Sequence, residues 1–154
     1  MAKMSAGIVM YRFCDGGPEV LIVHPGGPFW KNKDLGAWSI PKGEFLPGQD
    51  PLKTAVREFE EETGSKVNGD FVALNPIRQS GGKLVYAFAV EGDFDPETLT
   101  SNTFEMEWSP RSGRMTQFPE VDRAEWFDFE VARKKLIAAQ TNLIDQLEEK
   151  LKSD

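Results

Sequence analysis

The run Arg57-Glu58-Phe59-Glu60-Glu61-Glu62-Thr63-Gly64 constrains this chain more than any other, because it demands a helix with two dissimilar faces. An α-helix turns once in about 3.6 residues, so positions three and four apart stack on one side. Glu58, Glu61 and Glu62 therefore share a face. At an effective dielectric of about 20, each like-charge pair held about 4 Å apart costs roughly 4 kcal/mol. A fold gains from that arrangement when a cation sits among the acids. Oxygen donors select hard ions, which makes Mg2+ the first candidate and Mn2+ the second. On the other side Leu52, Ala55, Val56 and Phe59 recur at helical spacing and face a core.

The ends of the helix are marked as clearly as its faces. Asp50 suits the N-cap, Pro51 the first helical position, and Gly64 the left-handed residue after the last turn, which predicts a helix over 51–63. Before it, Ile40-Pro41-Lys42-Gly43-Glu44-Phe45-Leu46-Pro47-Gly48 reads as a loop punctuated by Gly and Pro, bringing backbone groups close to whatever the acids hold. A carbonyl near Lys42 is then a candidate to complete a coordination shell.

Gly43, Arg57, Glu58, Phe59, Glu61, Glu62 and Gly64 resemble the signature of the Nudix hydrolase family, G-x5-E-x7-R-E-U-x-E-E-x-G-U with U a bulky apolar residue, over residues 43–65. Trp38-Ser39-Ile40-Pro41-Lys42-Gly43 and Phe118-Pro119-Glu120-Val121-Asp122-Arg123-Ala124-Glu125-Trp126 are similar to the family as well. Gln49 departs from the pattern where a Glu is expected, and Ser65 where an apolar residue is expected. The Gln49 amide offers an oxygen but no charge, which leaves the number of metals open.

The resemblance implies an α/β fold, an α/β/α sandwich with a mixed sheet between helices. It also implies metal-dependent hydrolysis of a diphosphate linked to another moiety. Glu58, Glu61 and Glu62, with Lys42, become the expected metal ligands, and Arg57 is expected to orient one carboxylate through a bidentate pair. Glu120 is the favoured general base; Glu105, Glu107 and Glu61 are its alternatives. Lys42, Gly43, Tyr86 and Phe118 are the expected substrate contacts. Trp30, Trp38 and Phe45 are further candidates to stack a base, and Lys31, Lys33, Arg78, Lys83, Arg111 and Arg114 to bind phosphates.

The chain looks most similar to the diadenosine polyphosphate hydrolase branch and to nucleoside triphosphate pyrophosphohydrolases, which implies a small-molecule nucleotide substrate. A nucleotide sugar, an RNA 5′ end and an inositol polyphosphate are the alternatives within the family. A module that senses a nucleotide without cleaving it is the alternative outside catalysis, and Gln49 is the feature that favours it. With 25 acidic against 18 basic residues and an isoelectric point near 4.8, the chain has no broad basic footprint for nucleic acid.

The rest reads as one domain over residues 1–154, with strands expected at 5–13, 20–24, 37–40, 71–77, 83–91, 102–108 and 124–128. Val20-Leu21-Ile22-Val23 is too apolar for an edge, and residues 108–115 suit a polar substrate loop. A helical segment is expected over about 129–152, broken near Gln140-Thr141-Asn142. Its amphipathic end suits either a monomer or a homodimer. No signal-peptide core and no apolar run near the roughly 20 residues that span a bilayer is present, so a cytoplasmic protein away from membranes is expected. The single Cys14 excludes an internal disulfide and any multi-cysteine zinc site, and the single His24 is expected to be structural.

Overall fold

Strand β1 (Met4–Cys14) can be apolar at consecutive positions because both of its faces are covered, the usual reason a strand lacks polar alternation. Ala6, Ile8 and Met10 join Leu21 and Val23 in one buried cluster, whereas Val9 joins Val20 and Ile22 in the other. A computed structural model describes residues 3–153, so residues 1, 2 and 154 of the expected domain lie outside the described residues. Beside β1 runs β2 (Gly17–Pro25), paired antiparallel, and β2 lies inside the sheet as its composition requires.

Around this pair the sheet grows to seven strands. β3 (Lys42–Phe45) pairs antiparallel with the start of β1. β4 (Val72–Ala73) and β5 (Ile77–Arg78) pair with β6 (Leu84–Glu91), which runs parallel to β1. β7 (Thr103–Glu107) and β8 (Met115–Pro119) form a separate two-stranded hairpin, and β9 (Val121–Asp128) returns beside β2. Helix α1 (Pro51–Thr63) supplies Ala55 and Phe59 to one buried cluster. Helices α2 (Phe129–Lys135) and α3 (Thr141–Ser153) supply Phe129, Ala132, Leu143, Ile144 and Leu147 to the other. The result is the α/β architecture expected, a mixed sheet with helices on both faces.

Four segments differ from expectation. Residues 37–40 form no strand; they make only single bridges, Ser39 with Val23 of β2 and Trp38 with Leu136 after α2. A buried side chain replaces the missing ladder, since Ile40 N–H donates to Gln140 Oε1 at 2.9 Å and Gln140 Nε2 donates to Ser39 Oγ and Gln79 Oε1. The strand begins at Lys42 instead, within the expected loop. Residues 71–77 split because Pro76 has no N–H to offer a ladder, and the Asn75 backbone is satisfied by Gln146 of α3 at 2.7 and 3.0 Å. The 108–115 segment joins β7 to a return strand, β8, that was not among the expected strands. The C-terminal break falls earlier than expected, between α2 and α3 over 136–140. Among the described residues no helix is long and apolar enough to cross a membrane.

Candidate active site

Helix α1 starts and stops where its capping residues dictate. Asp50 accepts a hydrogen bond from Lys53 N–H at 3.2 Å, Pro51 occupies the first turn, and Gly64 closes the helix at φ 84° with its N–H donating to Glu60 O. Beyond that end, a relay of backbone bonds carries the chain across the site. Asn102 N–H donates to Glu61 O, Glu120 N–H to Asn102 O, and Gly26 N–H to Glu120 O, at 2.8, 2.8 and 3.0 Å. This relay fixes Glu120 near the C-terminal turn of α1, although 58 residues separate it from Glu62.

On the other flank, β3 lies so close to α1 that a Cβ on Gly43 would stand 2.0 Å from Glu58 Oε1. A side chain there would push the Glu58 carboxylate aside, so glycine is what allows the carboxylate its close approach to the strand. The backbone N–H of Lys42, next in the strand, favours the ionised form of the Glu62 carboxylate. Gln49 turns away from this cluster: its Oε1 accepts from Leu46 N–H at 2.7 Å and closes the loop before the helix. Arg57 makes two long single contacts, 4.0 Å to Glu58 and 4.0 Å to Glu61, rather than the expected bidentate pair, and its side chain is half exposed.

The acids raise one another's proton affinity more than Arg57 and Lys42 lower it. Burial, then Glu58 and Glu120, push the Glu62 carboxyl up to about 8. Burial, then Glu61, push Glu58 up to about 7. Burial and Glu61 also raise Glu120 above the ordinary carboxylate range. Burial and Lys83 lower the Lys42 ammonium, against the pull of Glu62, Glu44 and Glu58. Four acids from two elements thus feel one another. Among the described residues no three such groups close to metal-binding distance. Their oxygen donors and their raised proton affinity fit a hard divalent ion.

The competing carboxylates have other tasks. Glu107 accepts from Arg111 N–H at 2.9 Å and Gly113 N–H at 3.1 Å, bracing the hairpin tip, where Arg111 holds φ 64°. Glu105 accepts from Gln117 Nε2 on the exposed face of the same hairpin. Neither contributes to the shifts of Glu58 or Glu62, whereas Glu120 does.

The expected substrate residues do not share one place. Tyr86 packs edge-on against Phe45, ring centroids 5.7 Å apart, in the layer of α1. Trp38 is fully buried and donates its indole N–H to Asp34. Trp30 is partly exposed with Lys33 over its ring. Phe118 lies on the hairpin, 6.0 Å from Phe104, and lines a cleft of about 440 Å3 between the hairpin and residues 26–31. Trp108, the first residue of the expected substrate loop, lines it too, and Gly27 and Asp122 are cleft residues that were not among the sequence candidates. The signal that pointed to them was Pro28-Phe29-Trp30, large aromatics in a Gly- and Pro-bearing loop that burial cannot explain, with Phe29 61% exposed. His24 is buried behind the cleft, with Nε2 2.6 Å from Lys33 O and Nδ1 2.7 Å from Asp122 Oδ1.

A family model described as NUDIX domain matches residues 1–147. The chain belongs to the NUDIX family. Within it, this domain is 35% identical to the asymmetrical bis(5′-nucleosyl)-tetraphosphatase of Rattus norvegicus over 71 residues, 42% of this chain and 48% of that protein. It is 44% identical to an RNA pyrophosphohydrolase of Erythrobacter litoralis over 46 residues, 29% of this chain and 28% of that protein. Each match spans less than half of the relative. A C. elegans Ap4A hydrolase binary complex shares the fold, with a TM-score of 0.68 at 20% identity over 99% of this chain and 100% of that one.

Proposed function

We propose that this NUDIX domain hydrolyses a diphosphate linkage in a nucleoside polyphosphate, either a dinucleoside polyphosphate or a nucleoside triphosphate, with Mg2+ as its metal and Mn2+ as a substitute. The observation that carries the reading is the pair of acids Glu62, buried, and Glu58, partly buried, raised to about 8 and about 7 beside Glu61 and Glu120. Such a cluster is costly to keep unless a cation offsets it. Glu58, Glu61 and Glu62, with a backbone carbonyl of the Lys42 segment, would hold that ion. When bound, the metal supplies Lewis acidity and charge neutralisation at the diphosphate.

Glu120 is proposed as the general base. Burial and Glu61 raise its proton affinity above that of an ordinary carboxylate, which strengthens it as a base. The glycine at position 43 leaves the Glu58 carboxylate room against β3 and leaves the backbone open to a phosphate. Arg57, within 4.0 Å of both Glu58 and Glu61, steadies the two as an electrostatic bridge. The likeness to a tetraphosphatase supports a nucleotide substrate. An RNA 5′ end is the second reading, favoured by the likeness to an RNA pyrophosphohydrolase. We also propose a cytoplasmic setting, in which the lone, exposed Cys14 stays reduced, and a monomer or homodimer as the working form.

The test is a Mg2+-dependent hydrolysis screen over nucleoside triphosphates, dinucleoside polyphosphates, nucleotide sugars and 5′-triphosphorylated RNA, with phosphate and pyrophosphate read separately. Turnover of one class that is lost in Glu61→Gln supports the reading. Mg2+ binding without turnover of any of them overturns it and favours a sensor.

A further inference from the structure

We propose that the cleft between the β7–β8 hairpin and residues 26–31 holds the nucleobase of the substrate, and that Asp122 there selects bases carrying an exocyclic amino group. The inference rests on the nucleotide reading above, and it assigns the hairpin as the element that sets specificity.

The first ground is position. Pro119, the residue next to Glu120, lines the cleft. Gly26 is packed against the same point, so closely that a Cβ on it would meet Pro119 O at 1.9 Å. A ligand in the cleft therefore begins one residue from the proposed base and extends away from it, as the base and ribose of a nucleotide must when its phosphates lie over the acids. The volume, about 440 Å3, falls in the range of small-molecule sites.

The second ground is the chemistry of the walls. Phe118 and Trp108 offer ring surface from the hairpin, and Trp108 is held by Phe29 from the opposite loop in a T-shaped contact at 5.7 Å. Large apolar side chains in a protein of net charge −7 are exposed here in a cluster, with Phe29 61% and Trp108 36% accessible. Lys31 lines the same cleft, and Arg111 and Arg114 stand at the hairpin tip without an ion pair among the described residues. Aromatic surface interleaved with cations suits a π-faced, phosphorylated ligand, and little else of this size satisfies both requirements.

The third ground is Asp122. One of its oxygens lies 2.7 Å from His24 Nδ1, and Nε2 of that ring lies 2.6 Å from Lys33 O, so the ring links the carboxylate to the 26–33 loop. The residue also lines the cleft, and its second oxygen has no protein partner among the described residues. A carboxylate only accepts hydrogen bonds. It therefore favours the amino groups of adenine, guanine and cytosine and repels the carbonyl that uracil presents in the place of cytosine's amine.

Nucleoside monophosphates test this without turnover, because they contain no diphosphate linkage to cleave. AMP, IMP, CMP and UMP are titrated into the whole protein with tryptophan fluorescence as the readout, and Mg2+-pyrophosphate serves as the base-free probe. AMP should bind more tightly than IMP and CMP more tightly than UMP, each by roughly tenfold or more. Trp108→Ala should weaken AMP by roughly 5- to 100-fold while pyrophosphate binding is retained. Asp122→Asn, whose amide keeps a contact to His24, should bring each pair to within about twofold, an effect that loss of structural support alone does not produce. Equal affinity for all four monophosphates, or AMP binding unchanged in Trp108→Ala, overturns the proposal. If polyphosphates are hydrolysed with an unchanged KM in Trp108→Ala, the cleft assignment falls and the enzymatic reading stands. If no polyphosphate is cleaved yet AMP binds with the stated preferences, the enzymatic reading falls and the cleft assignment stands.

Discussion

Replacing Glu62 with Gln should stabilise the metal-free protein in alkaline solution and leave it unchanged in acid. The folded pKa of Glu62 lies near 8 against an ordinary value of 4.5, so the native state holds a proton that the unfolded chain has released between those limits. Stability contributed by that proton is complete below 4.5 and is lost as pH rises through 8. The displacement corresponds to roughly 4 to 5 kcal/mol at most, and to about 2 to 3 kcal/mol once relaxation and water entry soften the burial. Since a domain is stable by only about 5 to 15 kcal/mol in all, this is a large share. The Gln side chain keeps an oxygen for the Lys42 N–H, so the substitution removes charge and little else. Thermal denaturation in a chelator should give the variant a melting temperature about 5 to 10 °C above the native protein at about pH 9, and the same temperature at about pH 5. Millimolar Mg2+ should then restore the native protein more than the variant, because a cation favours the ionised carboxylate. A stability difference between the two proteins that does not vary with pH would refute the reasoning.

Three further outcomes follow from the same geometry. Gly43→Ala places its methyl against the flexible end of Glu58, so the melting temperature should move by no more than about 2 °C while kcat falls by roughly 100-fold through a misplaced carboxylate, checked by calorimetry beside steady-state kinetics. Gln49→Glu should leave Mg2+ affinity within about twofold in a calorimetric titration, because residue 49 caps the Leu46 N–H; a gain of tenfold or more would show that this position reaches the metal. Glu120→Gln should lower kcat by roughly 100-fold or more with Mg2+ affinity retained, and a normal pH–rate profile in that variant would move the role of base elsewhere.

How much of this was legible in the chain depends on the range of the forces involved. Helix α1 was readable to the residue, since its N-cap, first-turn proline, C-terminal glycine and opposed faces are all local, and so was the interior place of β2, whose apolar run requires cover on both sides. The 37–40 segment misled because its extended backbone is satisfied by the amide of Gln140, a hundred residues away, and no local pattern announces such a partner. Strand β8 was hidden because Met115-Thr116-Gln117-Phe118 alternates weakly, and its pairing is bought by a tip that Glu107 organises through two backbone N–H groups. The acids of α1 were visible as a cluster, yet the place of Glu120 beside them depends on the backbone relay through Asn102, which is tertiary. Gln49 shows the limit most clearly. In the motif it is a missing charge, whereas in the fold its oxygen completes the turn that delivers Asp50 to the helix start. A departure from a signature therefore weakens a metal site only if the fold aims that side chain at the metal, and here the fold aims it at the loop.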